Sequence, residues 1–137
     1  MSSTANDVNI RILLVDDEPD ILLAMSSILS ARGHYVKTFV KAAAALEHLG
    51  SKTAQYDLVI TDYRMPGGIT GLDLARTIKK HARKTKVFLM TSFDISSLPE
   101  SIDALESRIV DEALKKPISN EKLISIIEKN FLHNNNH

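Results

Sequence analysis

Short apolar runs alternate with helix-patterned segments five times along this chain, each pair taking about 20 to 30 residues. Such alternation confines the chain to a doubly wound α/β fold. Parallel strands must be joined by crossovers, and helices are the usual crossover. The apolar runs are Ile10–Val15, His34–Phe39, Asp57–Thr61, Val87–Met90 and a weaker fifth at Ile109–Leu114, interrupted by Asp111 and Glu112. The first run is almost uninterrupted, as expected of a strand covered on both faces.

The helical segments carry their own punctuation. Pro19 opens the first, at a position where a missing N–H costs nothing. Ile21, Leu22, Met25, Ile28 and Leu29 follow at helical spacing, and Gly33 supplies a stop. Ala42–Leu49 is an alanine-rich helix ended by Gly50. Leu74, Ala75, Ile78 and Ala82 mark a third after a Met65–Gly71 loop rich in glycine. Ser97 and Glu100 form a capping box for a short helix to about Glu106. Ile118, Leu123, Ile126, Ile127 and Phe131 stripe the last helix. Residues 1–8 and 133–137 have little to pack and are expected to be a disordered segment and a frayed tail.

At 137 residues the chain is expected to form one domain. It has no cysteine, so disulfides, thiolate metal sites and cysteine nucleophiles are excluded. Seventeen basic and seventeen acidic residues cancel, so no global field favours nucleic acid or an anionic membrane. No run has the roughly 18 apolar residues of a membrane helix, and the polar start lacks a signal-peptide core. These features predict a cytoplasmic location.

The chemistry sits where the apolar runs stop. Val15 is followed by Asp16 and Asp17, Thr61 by Asp62, Met90 by Thr91, and Leu114 by Lys115 and Lys116. Open α/β sheets bind ligands outside the carboxyl ends of their strands. In the order 2-1-3-4-5 the first and third strands are central neighbours, which places three carboxylates a few ångströms apart. They would repel one another, and a hard cation such as magnesium removes the repulsion while accepting phosphate oxygens. Asp16, Asp17 and Glu18 also suit a helix N-terminus, where negative charge is stabilised. Asp62 has no such reason for its place, because a loop follows it. Its best role is a nucleophile that holds a phosphoryl group as an acyl phosphate. Lys116 can pair with Asp62 and then with phosphoryl oxygens. Thr91 can donate a hydrogen bond to them.

Asp16-Asp17-Glu18-Pro19, Asp62 with Met65-Pro66, Thr91-Ser92 and Lys116-Pro117 together resemble the receiver domain of two-component response regulators, in particular a stand-alone, chemotaxis-type receiver. The resemblance covers about residues 9 to 132. It implies a flavodoxin-like (βα)5 fold with a five-stranded parallel sheet in the order 2-1-3-4-5. It also implies that Asp62 is the phosphoacceptor for a sensor histidine kinase or a histidine phosphotransfer protein. By the same resemblance Asp17, Asp62 and the Arg64 backbone carbonyl hold Mg2+, and Asp16 acts through water. Thr91 is then the switch hydroxyl, Lys116 the phosphoryl-binding lysine, and the peptide before Pro117 is often cis. Phosphorylation is expected to remodel a protein-binding face made of the fourth helix, fifth strand and last helix. The chain is then a signalling module and not an enzyme, apart from self-phosphorylation and slow self-dephosphorylation.

One position departs from that pattern. Three residues before Lys116 stands Ala113, where the family usually carries a switch tyrosine or phenylalanine. This predicts a muted or rerouted response, with Phe93 or Tyr63 as substitutes at the wrong spacing. Other function classes fit less well. An aspartyl-phosphate phosphatase wants a second acid where Arg64 stands, and a flavin carrier wants hydroxyls where Asp16 and Asp17 stand. A docking module that has kept the site without using it is the remaining alternative. The histidines lack metal-ligand spacing. The basic face around Lys79, Lys80 and Arg83 reads as a solvated surface, with no nucleic acid bound.

Overall fold

The three central strands are almost wholly buried, and this follows from their composition. The structure, a computed structural model, describes residues 8–65, 67–92, 103, 105 and 107–132. Its strands are β1 (Arg11–Val15), β2 (Tyr35–Phe39), β3 (Leu58–Asp62), β4 (Lys86–Thr91) and β5 (Glu112–Lys115). They form one parallel sheet, as the alternation predicted, in the order β2-β1-β3-β4-β5 that the resemblance implied. Every residue of β3 is buried, whereas the edge strand β2 is mostly exposed.

Alternation along each strand sends side chains to two separate cores. Leu13, Val15, Val59, Val87 and Leu89 face one layer, packed by α2 (Ala42–Leu49) and α3 (Gly71–His81). Ile12, Leu14, Ile60, Phe88 and Met90 face the other, packed by α1 (Pro19–Ala31) and a C-terminal helix (Asn120–Phe131). Burying a Leu, Ile or Phe side chain contributes about 1.5–3 kcal/mol. These two layers therefore hold the strand ends in fixed register.

Several boundaries differ from the sequence reading. The third strand runs one residue further than Thr61, so Asp62 is its last residue. Asp57 instead stands before it, where its carboxylate accepts the Arg11 backbone N–H at 2.9 Å. A 3-10 helix over Gly50–Gln55 follows α2 and was not expected. The fifth strand starts at Glu112, not Ile109. The Asp111 carboxylate accepts the Val87 backbone N–H at 2.8 Å and pairs with Lys79 Nζ at 2.8 Å. That side chain fastens the start of β4, so the ladder to β5 begins only afterwards. Lys79 is accordingly not part of a freely solvated face; its side chain is 15% exposed.

The capping box at Ser97 and Glu100 lies outside the described residues, as does Phe93. Of the helix expected to reach Glu106, only Asp103 and Leu105 are described, and both are helical. The expectations for 1–8 and 133–137 also fall outside, apart from Val8. Among the described residues no helix is long and apolar enough to cross a membrane.

Candidate functional site

Parallel pairing fixes which strand ends meet. Val15 pairs with Thr61, so Asp16 and Asp17 emerge beside Asp62 at the centre of the sheet. Asp62 pairs with Met90, and Thr91 is the next residue of β4. Thr91 pairs with Lys115, and the Lys116 backbone N–H donates to the Thr91 carbonyl at 2.8 Å. Acids, hydroxyl and ammonium thus arrive at one rim from four consecutive strands.

The three carboxylates each offer an oxygen within 4.8 Å of the others. Their surroundings differ, and the differences divide their work. Asp16 is fully buried, at 0% exposure. Its Oδ1 accepts the Glu18 backbone N–H at 2.9 Å, and its Oδ2 accepts Lys116 Nζ at 3.0 Å. Both oxygens are already engaged, which suits an orienting group. Asp17 is exposed, whereas Asp62 is largely buried at 8% exposure. A hollow of about 500 Å3 beside them is lined by Asp17, Tyr63, Arg64, Met65, Gly68 and Thr70.

Lys116 was expected to pair with Asp62. Its nearest partner is Asp16, and its Nζ lies 3.6 Å from both Asp62 Oδ2 and the exposed Glu18 carboxylate. The ammonium sits among three acids and lies nearest the fully buried one. Lys115 is exposed, as the alternation of strand side chains required. Thr91 is 2% exposed and belongs to β4, not to a turn. Arg64 is exposed in the loop after β3. The peptide bond between Lys116 and Pro117 is cis.

Burial raises the Asp62 carboxyl from 3.8 to about 6; Lys116 pulls it down, and Asp16 and Asp17 push it up. At pH 7 such a group is still ionised in roughly nine molecules of ten. For Lys116, burial alone would lower the ammonium. The hydrogen bond to Asp16 and the charges of Asp62, Asp16 and Glu18 outweigh burial and raise it. The lysine therefore stays charged throughout the physiological range.

Gly71, which the sequence pattern places at the end of a glycine-rich loop, shapes this rim. Gly71 is the first residue of α3, and its N–H donates to the Tyr63 carbonyl at 2.8 Å. A Cβ at Gly71 would collide with the Asp62 carbonyl oxygen. Only glycine lets α3 approach the Asp62 backbone this closely. Just before it, Thr70 and Asp73 close a reciprocal capping box, with both hydrogen bonds at 3.0 Å. The sequence signal was there: threonine, with an acid three residues on, opening an apolar-periodic segment.

Comparison with known proteins adds the following. A family model described as the response regulator receiver domain matches residues 12–128. The DNA-binding transcriptional regulator NtrC of Escherichia coli (strain K12) is 32% identical over 120 residues, covering 88% of this chain and 24% of NtrC. The chain thus spans about a quarter of the length of that relative. The two-component response regulator ORR41 of Oryza sativa subsp. japonica is 31% identical over 122 residues, covering 88% of this chain and 93% of ORR41. Among solved structures, a receiver domain protein of Clostridium thermocellum superposes with a TM-score of 0.78 at 31% identity, covering 90% of this chain and 94% of that one. The response regulator TrrA of Thermotoga maritima, solved in complex with Mg2+ and BeF, gives 0.71 at 32% identity, covering 88% and 97%.

Proposed function

The chain belongs to the response regulator receiver family, and from that premise we propose that it is a phosphoacceptor in a two-component phosphorelay, receiving a phosphoryl group on Asp62 with Mg2+. The unit that does so spans residues 9–132, and its setting is the cytoplasm. The observation that carries this reading is the convergence of the three carboxylates, with Lys116 against them, at one rim.

The donor is a phosphohistidine on a sensor histidine kinase or a histidine phosphotransfer protein. An Asp62 carboxylate oxygen attacks phosphorus, the P–O bond forms, and the P–N bond breaks with its electron pair remaining on the imidazole. Lys116, already 3.6 Å from Asp62 Oδ2, follows the charge onto the phosphoryl oxygens. Thr91 donates a hydrogen bond to one of them. Asp16, tied down by Glu18 and Lys116, keeps the lysine aimed.

The donor set fits Mg2+. It consists of oxygen alone, and three carboxylates this close leave negative charge to be neutralised. Asp17, Asp62 and the Arg64 carbonyl would hold the ion, with Asp16 acting through water. When bound it offsets the charge of the phosphoryl group. TrrA, similar in fold and sequence, supports this through its complex with Mg2+ and BeF.

Incubation with Mg2+ and a small acyl-phosphate donor, followed by mass spectrometry, tests the proposal. One added phosphoryl group is expected on the wild type and none on Asp62→Asn. Labelling of the variant, or none on either, would refute the assignment, and the second outcome favours a docking module. Rapid multiple turnover of phosphoesters would instead indicate an enzyme.

The output face comprises the expected fourth helix, β5 and the C-terminal helix, and it meets a downstream protein target. Within it Ala113 pairs with Leu89 and offers only a methyl group. Tyr63, one expected substitute, is buried in the α2–α3 core. We infer a muted or rerouted shift of this face. Amide exchange with and without beryllofluoride should change little over residues 109–114, and a large ordered change there would contradict the inference.

A further inference from the structure

Opposite the acidic rim, at the amino ends of β4 and β5, the charge reverses. Between Arg76 and Lys86 the chain carries Arg76, Lys79, Lys80, Arg83, Lys84 and Lys86, and no acid. Four of these line one wall of a groove of about 630 Å3: Arg76, Lys79, Lys80 and Arg83. Arg108, Ile109 and Asp111 face them. The Asp111 carboxylate is engaged by Lys79 and the Val87 N–H, each at 2.8 Å. Arg76 has a loose contact with Asp73, at 3.6 Å on the surface. Among the described residues, Lys80, Arg83 and Arg108 have no carboxylate within ion-pairing distance.

The dipole of α3 accounts for Lys79, Lys80 and His81 in its last turn. It does not account for Arg83, beyond the helix, or for Arg108, across the groove. Arg108 also has φ 65°, a left-handed conformation that is costly for any residue with a Cβ. An arginine stands where glycine would suit the backbone better, and it lines the groove.

We propose that this groove docks an acidic polypeptide segment of a partner protein, one bearing several carboxylates and an apolar side chain that meets Ile109. Guanidinium groups take carboxylates in bidentate pairs. Arg76 and Lys80 stand one turn apart on α3, at roughly 5–6 Å, a spacing that carboxylates on a partner helix can match, and Arg83 extends the same wall beyond the helix. Nucleic acid is the weaker fit. The chain carries no net charge, so the long-range field that draws polyanions is absent. The groove has an aliphatic Ile109 and no aromatic ring for bases to stack on.

Fluorescence anisotropy on the full chain tests this with three labelled probes: a glutamate-rich peptide containing two leucines, its glutamine counterpart, and a single-stranded DNA oligonucleotide of equal charge. The glutamate peptide should bind, weaken as salt rises, and outcompete both others. Arg108→Gly removes the cation while relieving its backbone, so it should fold at least as well as wild type and take up phosphoryl normally. It and Arg83→Glu should each lower peptide affinity about 3- to 5-fold, and together about 10-fold. Equal affinity in the variants, or no binding of the glutamate peptide, would overturn the proposal. So would an oligonucleotide that binds more tightly and loses affinity with the same substitutions.

Discussion

Lys116→Met will destabilise the metal-free protein by about 3–5 kcal/mol at pH 7, the usual loss when one member of a buried ion pair is removed. Among the described residues no other cation pairs with Asp16, which is fully buried and holds Lys116 Nζ at 3.0 Å. After substitution Asp16 keeps, among the described residues, the Glu18 N–H on its other oxygen. Asp62 also loses the one charge that lowers its pKa, so its carboxyl will titrate above the present value of about 6. The exposed Glu18 carboxylate contributes little, because water screens it. Denaturant midpoints in chelator should show the loss, and it should shrink at pH 5, where Asp62 is protonated and one repelling charge disappears. Phosphoryl uptake should fall about 100- to 1,000-fold, the usual effect of removing one electrostatic stabiliser of the transition state. A destabilisation under about 1 kcal/mol would show that the ammonium is not what holds the acids together.

The same site shows what could be read from residue order. Every residue brought together at this rim was visible as a polar residue closing an apolar run: Asp16, Asp17, Asp62, Thr91 and Lys116. Hydrophobic burial sets the register of the central strands, and a run such as Leu58–Ile60 announces burial directly. Polar side chains that serve the backbone were not visible. Asp111 looked like an interruption of a strand, yet it fastens β4 through Val87 and Lys79 from 24 and 32 residues away. The pairing of Lys116 with Asp62, legible from its place before Pro117 at a strand end, is present at 3.6 Å. The preference of Lys116 for Asp16, 100 residues distant, depends on which carboxylate is buried, and composition says nothing of that. Gly71 was hidden for a similar reason, since its constraint is the carbonyl of Asp62 and not its own turn.

A second expected result concerns pH and follows from the sign of the Asp62 shift. In the folded, metal-free chain this carboxyl titrates at about 6 against an ordinary 3.8, mainly because burial disfavours the charged form. A folded-state pKa raised above the unfolded one means that stability is fully present below pH 3.8. It is then lost as pH rises through 6. A shift of this size corresponds to about 2–3 kcal/mol above pH 7. Asp62→Asn removes the ionisation, so in chelator it should exceed wild type in stability by about that amount at pH 8 and by little at pH 4. Saturating Mg2+ should raise wild type more than the variant, because the cation relieves repulsion that the variant no longer has. Urea midpoints at the two pH values, with and without Mg2+, decide the matter. An advantage of the variant that grows toward low pH would mean that Asp62 is stabilised by its neighbours. It would then not be the strained nucleophile that the reading of this rim requires. The expected penalty is a real share of a domain whose total stability is about 5–15 kcal/mol. A carboxylate held at that cost, with an oxygen within 4.8 Å of one from the exposed Asp17 and an ammonium 3.6 Å away, is expected to gain most from a bound cation and from transfer of a phosphoryl group onto it.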